Sequence, residues 1–230
     1  PFLLFISTSD VGKNGYINWD QILEIEKSGL GTIGNHSHSH EYLADFTNEN
    51  IILDIKKSIN IFQNKLGYNP IFFSYPFGEY SNNLKKITSD LGFKFAFGQH
   101  SGVVDLTKDP LELPRFPINE KYGDLERFKF LINLLPFQFK EILPQEKLII
   151  NEQNPPDVVI SFFDNQKNLN NINCYSNEND RWRKSNLLFL SETKIRIVIK
   201  EKFTTERGRI NCSLNDSLGW RWFGIQFVIL

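Results

Sequence analysis

The stretch TIGNHSHSHEYL, residues 32–43, sets three of the chain's four histidines at alternate positions, His36, His38 and His40. Imidazoles that share one metal ion need a shared direction. On a helical turn, residues i and i+4 stand about 5–6 Å apart at Cβ, which suits two nitrogens each about 2.0–2.1 Å from one ion. His36 and His40 have that spacing. On a strand all three rings would share a face, but Gly34 and Asn35 before them and the helix-like EYLADF after them indicate that the strand ends here. His38 then points elsewhere. A polar surface loop with chance histidines is the competing reading of the spacing, and placement at a strand end within an α/β pattern favours the metal.

Working outward, strand-like and helix-like segments alternate. FLLFIST reads as a strand, NWDQILEIEKSGL as a helix starting near Asn18 or Asp20 and ending near Gly29, and GTIGNH as a short strand entering a loop. Thr47 and Asn50 precede a helical stripe of Ile51, Ile52, Ile55, Ile59 and Phe62 that closes at Gly67 and Pro70. IFFSYPFG is a strand and turn, SNNLKKITSDLG a helix, FKFAFGQ a strand and LERFKFLINLL a further helix. Such alternation predicts a parallel sheet or barrel with functional groups at the carboxyl ends of its strands. Near residue 145 the character changes to short strands such as KIRIVIK and FGIQFVIL, separated by Asn-, Asp- and Gly-containing turns. The expected division is an α/β domain over 1–144 and an all-β, sandwich-like domain over 145–230.

The 230 residues are 40% hydrophobic and carry a formal net charge of -1, so the chain can bury a core and offers no basic field for nucleic acid. No apolar run is long enough for a transmembrane segment. The chain has no Met and opens on PFLLFIST, an apolar run of buried-strand type, so it is expected to be part of a longer gene product. Cys174 and Cys212 allow one disulfide, but buried free thiols are the expected state.

GNHSHSH, followed after a helix by FFSYPFGEYS, resembles the second and third motifs of the polysaccharide deacetylases, the carbohydrate esterases with a NodB homology domain. The second motif has the form His-Ser/Thr-x-x-His, here His36-Ser37-x-x-His40, and the resemblance covers roughly residues 1–140. It implies a distorted (β/α) barrel, here lacking its first strand. It also implies a divalent metal, most often zinc, held by His36, His40 and an aspartate expected upstream of Pro1, where a second, general-base aspartate is also expected. The implied activity is removal of acetyl groups from a carbohydrate, an N- or O-acetylated bacterial surface polysaccharide, in the envelope or cytoplasm of a bacterium.

The third motif places Tyr75, Pro76 and Phe77 at the substrate and oxyanion site. Many family members carry an arginine where this chain has Ser74, and a tyrosine where it has Phe77; a backbone N–H at Phe77 preserves the oxyanion role. Arg115, flanked by Pro114 and Pro117, is the candidate replacement guanidinium. The late Leu-x-His motif that supplies the family's general acid is not found, which leaves His100 as the imidazole candidate. These departures motivate an alternative, a non-catalytic glycan-binding protein on a degenerate deacetylase fold. A third reading, an unrelated metal-dependent amidohydrolase, needs more ligands at later strand ends than one histidine provides. In the C-terminal part, Trp220, Arg221 and Trp222 are candidate glycan contacts, with Trp182, Arg183, Arg207 and Arg209 nearby in type; core packing with snorkelling arginines is the competing reading.

Overall fold

Local capping signals set most helix boundaries. In the computed structural model, which describes residues 1–230, Asn18 caps α1 (Trp19–Lys27) through a reciprocal pair of bonds with Gln21. Thr47 caps α2 (Asn48–Leu66) by accepting from the Asn50 amide, and Gly67 ends it with φ of 83°. Ser81 caps α3 (Asn82–Asp90). Each such cap satisfies an amide that the helix leaves without a partner, worth about 1 kcal/mol.

The chain divides into two compact units, Pro1–Gly98 with Leu106–Leu113, and Gln99–Asp105 with Pro114–Leu230. In the first, β1 (Phe2–Ile6), β2 (Gly31–Asn35), β3 (Phe72–Ser74) and β4 (Phe95–Phe97) form a parallel sheet in chain order. Helices join successive strands, giving an arc of a distorted (β/α) barrel. The apolar stripe of α2 packs inward: Ile51 and Ile55 join Phe73, Tyr75 and Leu84 in one cluster, while Phe62 packs with Ile6, Ile22 and Ile33 in another.

Register decides what meets at the top of this sheet. Ile6 is paired with Asn35 and Asn35 with Phe73, so the segments leaving β1, β2 and β3 start side by side. Gly34 is required at this level, because a Cβ there would come within 2.5 Å of the Phe5 ring.

The second unit contains α4 (Leu125–Ile132) and two sheets. One is antiparallel, in the order β10 (Asn186–Ser191), β11 (Lys194–Val198), β7 (Val158–Phe162), β5 (Phe139–Leu143). The other runs β6 (Leu148–Ile149), β13 (Gly219–Ile229), β12 (Arg207–Asp216), β8 (Asn173–Glu178), β9 (Arg181–Lys184). One core built from both sheets, including Val158, Ile160, Ile195, Ile210, Phe223 and Phe227, makes this a sandwich. No helix is long and apolar enough to cross a membrane.

Two expectations need correction. The division expected between residues 144 and 145 falls earlier: β5 pairs with β7, and Leu135 bridges to Arg221, so residues 114–143 belong with the sandwich. The α4 sequence is helical as read, but none of its residues is buried; its periodicity told of a helix and not of its partner. The cysteines are not free thiols: Cys174 and Cys212 are disulfide-bonded. They stand directly opposite each other on β8 and β12, a pairing that sequence separation could not reveal. Closing a loop of 38 residues in the unfolded chain stabilises the folded unit by about 2–4 kcal/mol. The double substitution Cys174→Ser, Cys212→Ser is therefore expected to lower the unfolding free energy of the sandwich by that amount in a denaturant titration.

Candidate functional site

The site is built on the loop that leaves β2. It is irregular and not a helical turn, with Ser37 at φ 67° and His40 at φ 57°. Left-handed backbone at residues other than glycine costs about 1–3 kcal/mol each, so these conformations must be held. Each amide N–H from His36 to His40 has an acceptor. His36 N donates to the Ile6 carbonyl at 2.9 Å, Ser37 N to Asn35 Oδ1 at 2.9 Å, and His40 N to Ser37 Oγ at 3.0 Å. The amides of His38 and Ser39 both donate to the Asp54 carboxylate, at 2.8 and 3.0 Å. From the other side, Thr8 N and Ser9 N donate to the carbonyls of Ser37 and His38.

This scaffold brings the rings of His36 and His40 to a centroid separation of 4.8 Å with planes 76° apart. Two imidazoles bonded at about 2.0–2.1 Å to one tetrahedral ion have ring centroids roughly 5 Å apart, so the pair fits a single cation. Left-handed bends at Ser37 and His40, and not a helical turn, lie in the loop that brings the two rings together. His36 Nδ1 lies 2.6 Å from the Ser74 carbonyl. A carbonyl only accepts, so Nδ1 carries the proton and Nε2 is left as the electron-pair donor, the arrangement usual for metal-binding histidine. No group of three or more His, Cys, Asp or Glu side chains able to hold an ion occurs in the chain; the fit is that of two imidazoles.

Both rings line a cavity of about 290 Å³ together with Leu4, Phe5, Ile6, Ser7, Asp10, Val11, Tyr16 and Ile17. Asp10, absent from the sequence-derived candidates, lies four residues beyond the end of β1, in the turn that leaves the strand, a position that could have marked it. Its hydrogen bond from Lys13 at 2.8 Å holds its carboxyl below the usual range, so a carboxylate faces the imidazole pair. His38 is turned away from the pair to Thr8, with Nδ1 2.9 Å from Oγ1, and burial lowers the affinity of its ring for a proton.

The third-motif residues divide. Phe77, with φ of 56°, stacks on Tyr42 at 4.0 Å and touches the His40 ring at 4.8 Å, so it walls the imidazole pair. Tyr75 is fully buried in the core and its hydroxyl donates to the Leu111 carbonyl at 3.0 Å; its side chain serves packing and not substrate. Pro76 is buried as well. Ser74 contributes its carbonyl to His36, while its hydroxyl is buried without a hydrogen-bond partner.

Residues 1–96 match the family model described as polysaccharide deacetylase. The match covers under half of the chain, and over these residues the chain is similar to that family. The deacetylase fold is seen again in the Streptococcus pyogenes deacetylase PplD, solved in complex with acetate. It superposes with a TM-score of 0.53 at 20% identity, over 56% of this chain and 57% of that one. A polysaccharide deacetylase from Bacillus cereus gives 0.50 at 21% identity, over 55% and 40%. The chain thus spans about half the length of these structures, and the likeness is one of fold. No curated protein matches the chain.

The remaining candidates lie outside the first unit. His100 and Arg115 belong to the second unit, where the Arg115 amide donates to the His100 carbonyl at 3.0 Å; burial pushes the Arg115 guanidinium below its ordinary pKa. Trp220 is 42% exposed, with its ring 6.2 Å from Phe130. Trp222 packs near Phe116, and its indole N–H is buried. Arg221 is not a surface contact. Its guanidinium is buried and donates to Asp216 Oδ2 and to the Pro136 carbonyl, both at 2.6 Å. Removing one member of a buried ion pair leaves the other uncompensated. Arg221→Ala is therefore expected to cost about 3 kcal/mol of stability, measured by denaturant unfolding of the variant beside the parent.

Proposed function

We propose that this chain supplies the metal-binding imidazoles and the acyl-binding wall of a metal-dependent hydrolase that removes acetyl groups from an N- or O-acetylated bacterial surface polysaccharide. The observation that carries the reading is the convergence of His36 and His40 on one cavity, with His36 held in the metal-ready tautomer by the Ser74 carbonyl. His36 and His40 would hold the ion, most often zinc in this family. A bound divalent ion supplies Lewis acidity at the acetyl carbonyl and makes hydroxide available at neutral pH.

The chain's own residues do the rest of the positioning. Phe77 and Tyr42, stacked on each other, wall the imidazole pair, and the Phe77 amide is the candidate donor to the oxyanion of the tetrahedral intermediate. Phe5, Val11, Tyr16 and Ile17 offer apolar and aromatic surface along the cavity, the kind of wall that takes the face of a sugar ring. Asp10, ionised beside Lys13, can accept hydrogen bonds from sugar hydroxyls.

The presence of Ser74 in place of the frequent arginine supports a second reading, a glycan-binding protein without turnover. One experiment separates the two: acetate release from a panel of acetylated glycans, with and without chelator, alongside binding to the same glycans. The proposal expects chelator-sensitive release that falls to background in His36→Ala and His40→Ala, each with bound metal lost in parallel. Full release in either variant rejects it, and chelator-insensitive binding with no release from any glycan establishes the binder.

A further inference from the structure

On α2 the inward stripe Ile51, Ile55 and Phe62 is interrupted by two polar side chains one turn apart, Asp54 and Ser58. Ser58, fully buried, donates to Asn35 Oδ1 at 2.8 Å, and the same oxygen accepts the Ser37 amide. Asp54 takes the next two amides, His38 and Ser39, one on each carboxylate oxygen. A helix that packs against the sheet thereby reaches into the loop midway between His36 and His40, and its only charged acceptor there is Asp54. The two bonds fall between the left-handed bends at Ser37 and His40, the bends that turn the rings toward each other.

We propose that Asp54 is a positioning residue of the imidazole pair: its carboxylate, bonded by the two amides, fixes the loop geometry on which metal affinity depends. Charge-assisted bonds from amides to a carboxylate are shorter and stronger than neutral ones, and the position between two disfavoured bends is where such bonds are needed. The role rests on the metal reading given above. It is distinct from ligation, since Asp54 bonds only to backbone amides of the loop.

The test uses the full chain with Asp54→Asn and Asp54→Ala, and Lys56→Ala as an exposed control on the same helix. Zinc chloride titration by calorimetry gives the dissociation constant, and amide hydrogen exchange reads the loop without metal. Asn keeps the volume of Asp but turns one acceptor into an NH₂ that faces an amide donor, so it separates packing from hydrogen bonding. The expected result is faster exchange at His38 and Ser39 and a zinc dissociation constant raised about tenfold in both Asp54 variants, with Lys56→Ala unchanged. Wild-type zinc affinity in Asp54→Asn overturns the proposal even if exchange quickens. Wild-type zinc affinity in His36→Ala and His40→Ala overturns the metal reading itself, and the Asp54 role with it.

Discussion

The parallel pairing of β1 with β2 is the constraint on which the site depends. Because Ile6 sits beside Asn35, the segment Ser7–Ser9 runs along the histidine loop and bonds to it through main-chain atoms. The next strand adds the Ser74 carbonyl, which selects the proton position on His36. A register shift of one residue would turn every side chain at these strand ends to the opposite face and separate the groups that now meet. The absence of a Cβ at Gly34 lets the Phe5 ring lie across the strand end.

What could be read from the sequence was local. Asn18, Thr47, Ser81 and Gly67 announce helix ends through interactions within four residues, and the stripe of α2 shows its buried face directly. The parallel sheet followed from strand and helix alternating. The arrangement of the histidines was legible only in part. Spacing singled out His36 and His40, but a helical turn was the wrong geometry. Backbone with positive φ at Ser37 and His40 has no signature in residues other than glycine or asparagine, and it depends on partners from β1 and α2. Asp54 did leave a trace, a polar side chain inside an apolar stripe, which is informative because polar groups turned from water need hydrogen-bond partners. Tyr75 left none: a tyrosine in a functional motif and a tyrosine in a core look alike until the Leu111 carbonyl is found beside it.

The second unit shows the same limit on a larger scale. Its short strands were readable one by one, whereas which strands neighbour each other depends on long-range pairing. The strand β5 lies before the compositional change yet pairs with β7 beyond it, so composition misplaced the boundary. Arg221 between two tryptophans allows either a glycan contact or a core arginine, because aromatic faces stack on sugar rings while a guanidinium stem also packs in cores. Its alternation within β13 and the acid at Asp216, five residues earlier, point instead to an ion pair at the end of a hairpin.

The Cys174–Cys212 bond has both sulfur-bearing residues fully shielded from solvent. Thiol–disulfide exchange needs a thiolate to reach one of the sulfurs, so ambient reductants act only on molecules whose sandwich has opened. Oxidation must accompany or precede closure of the two sheets. Once shut, the unit keeps its cross-link on the timescale of its own unfolding, and the redox poise met during folding persists in the finished protein.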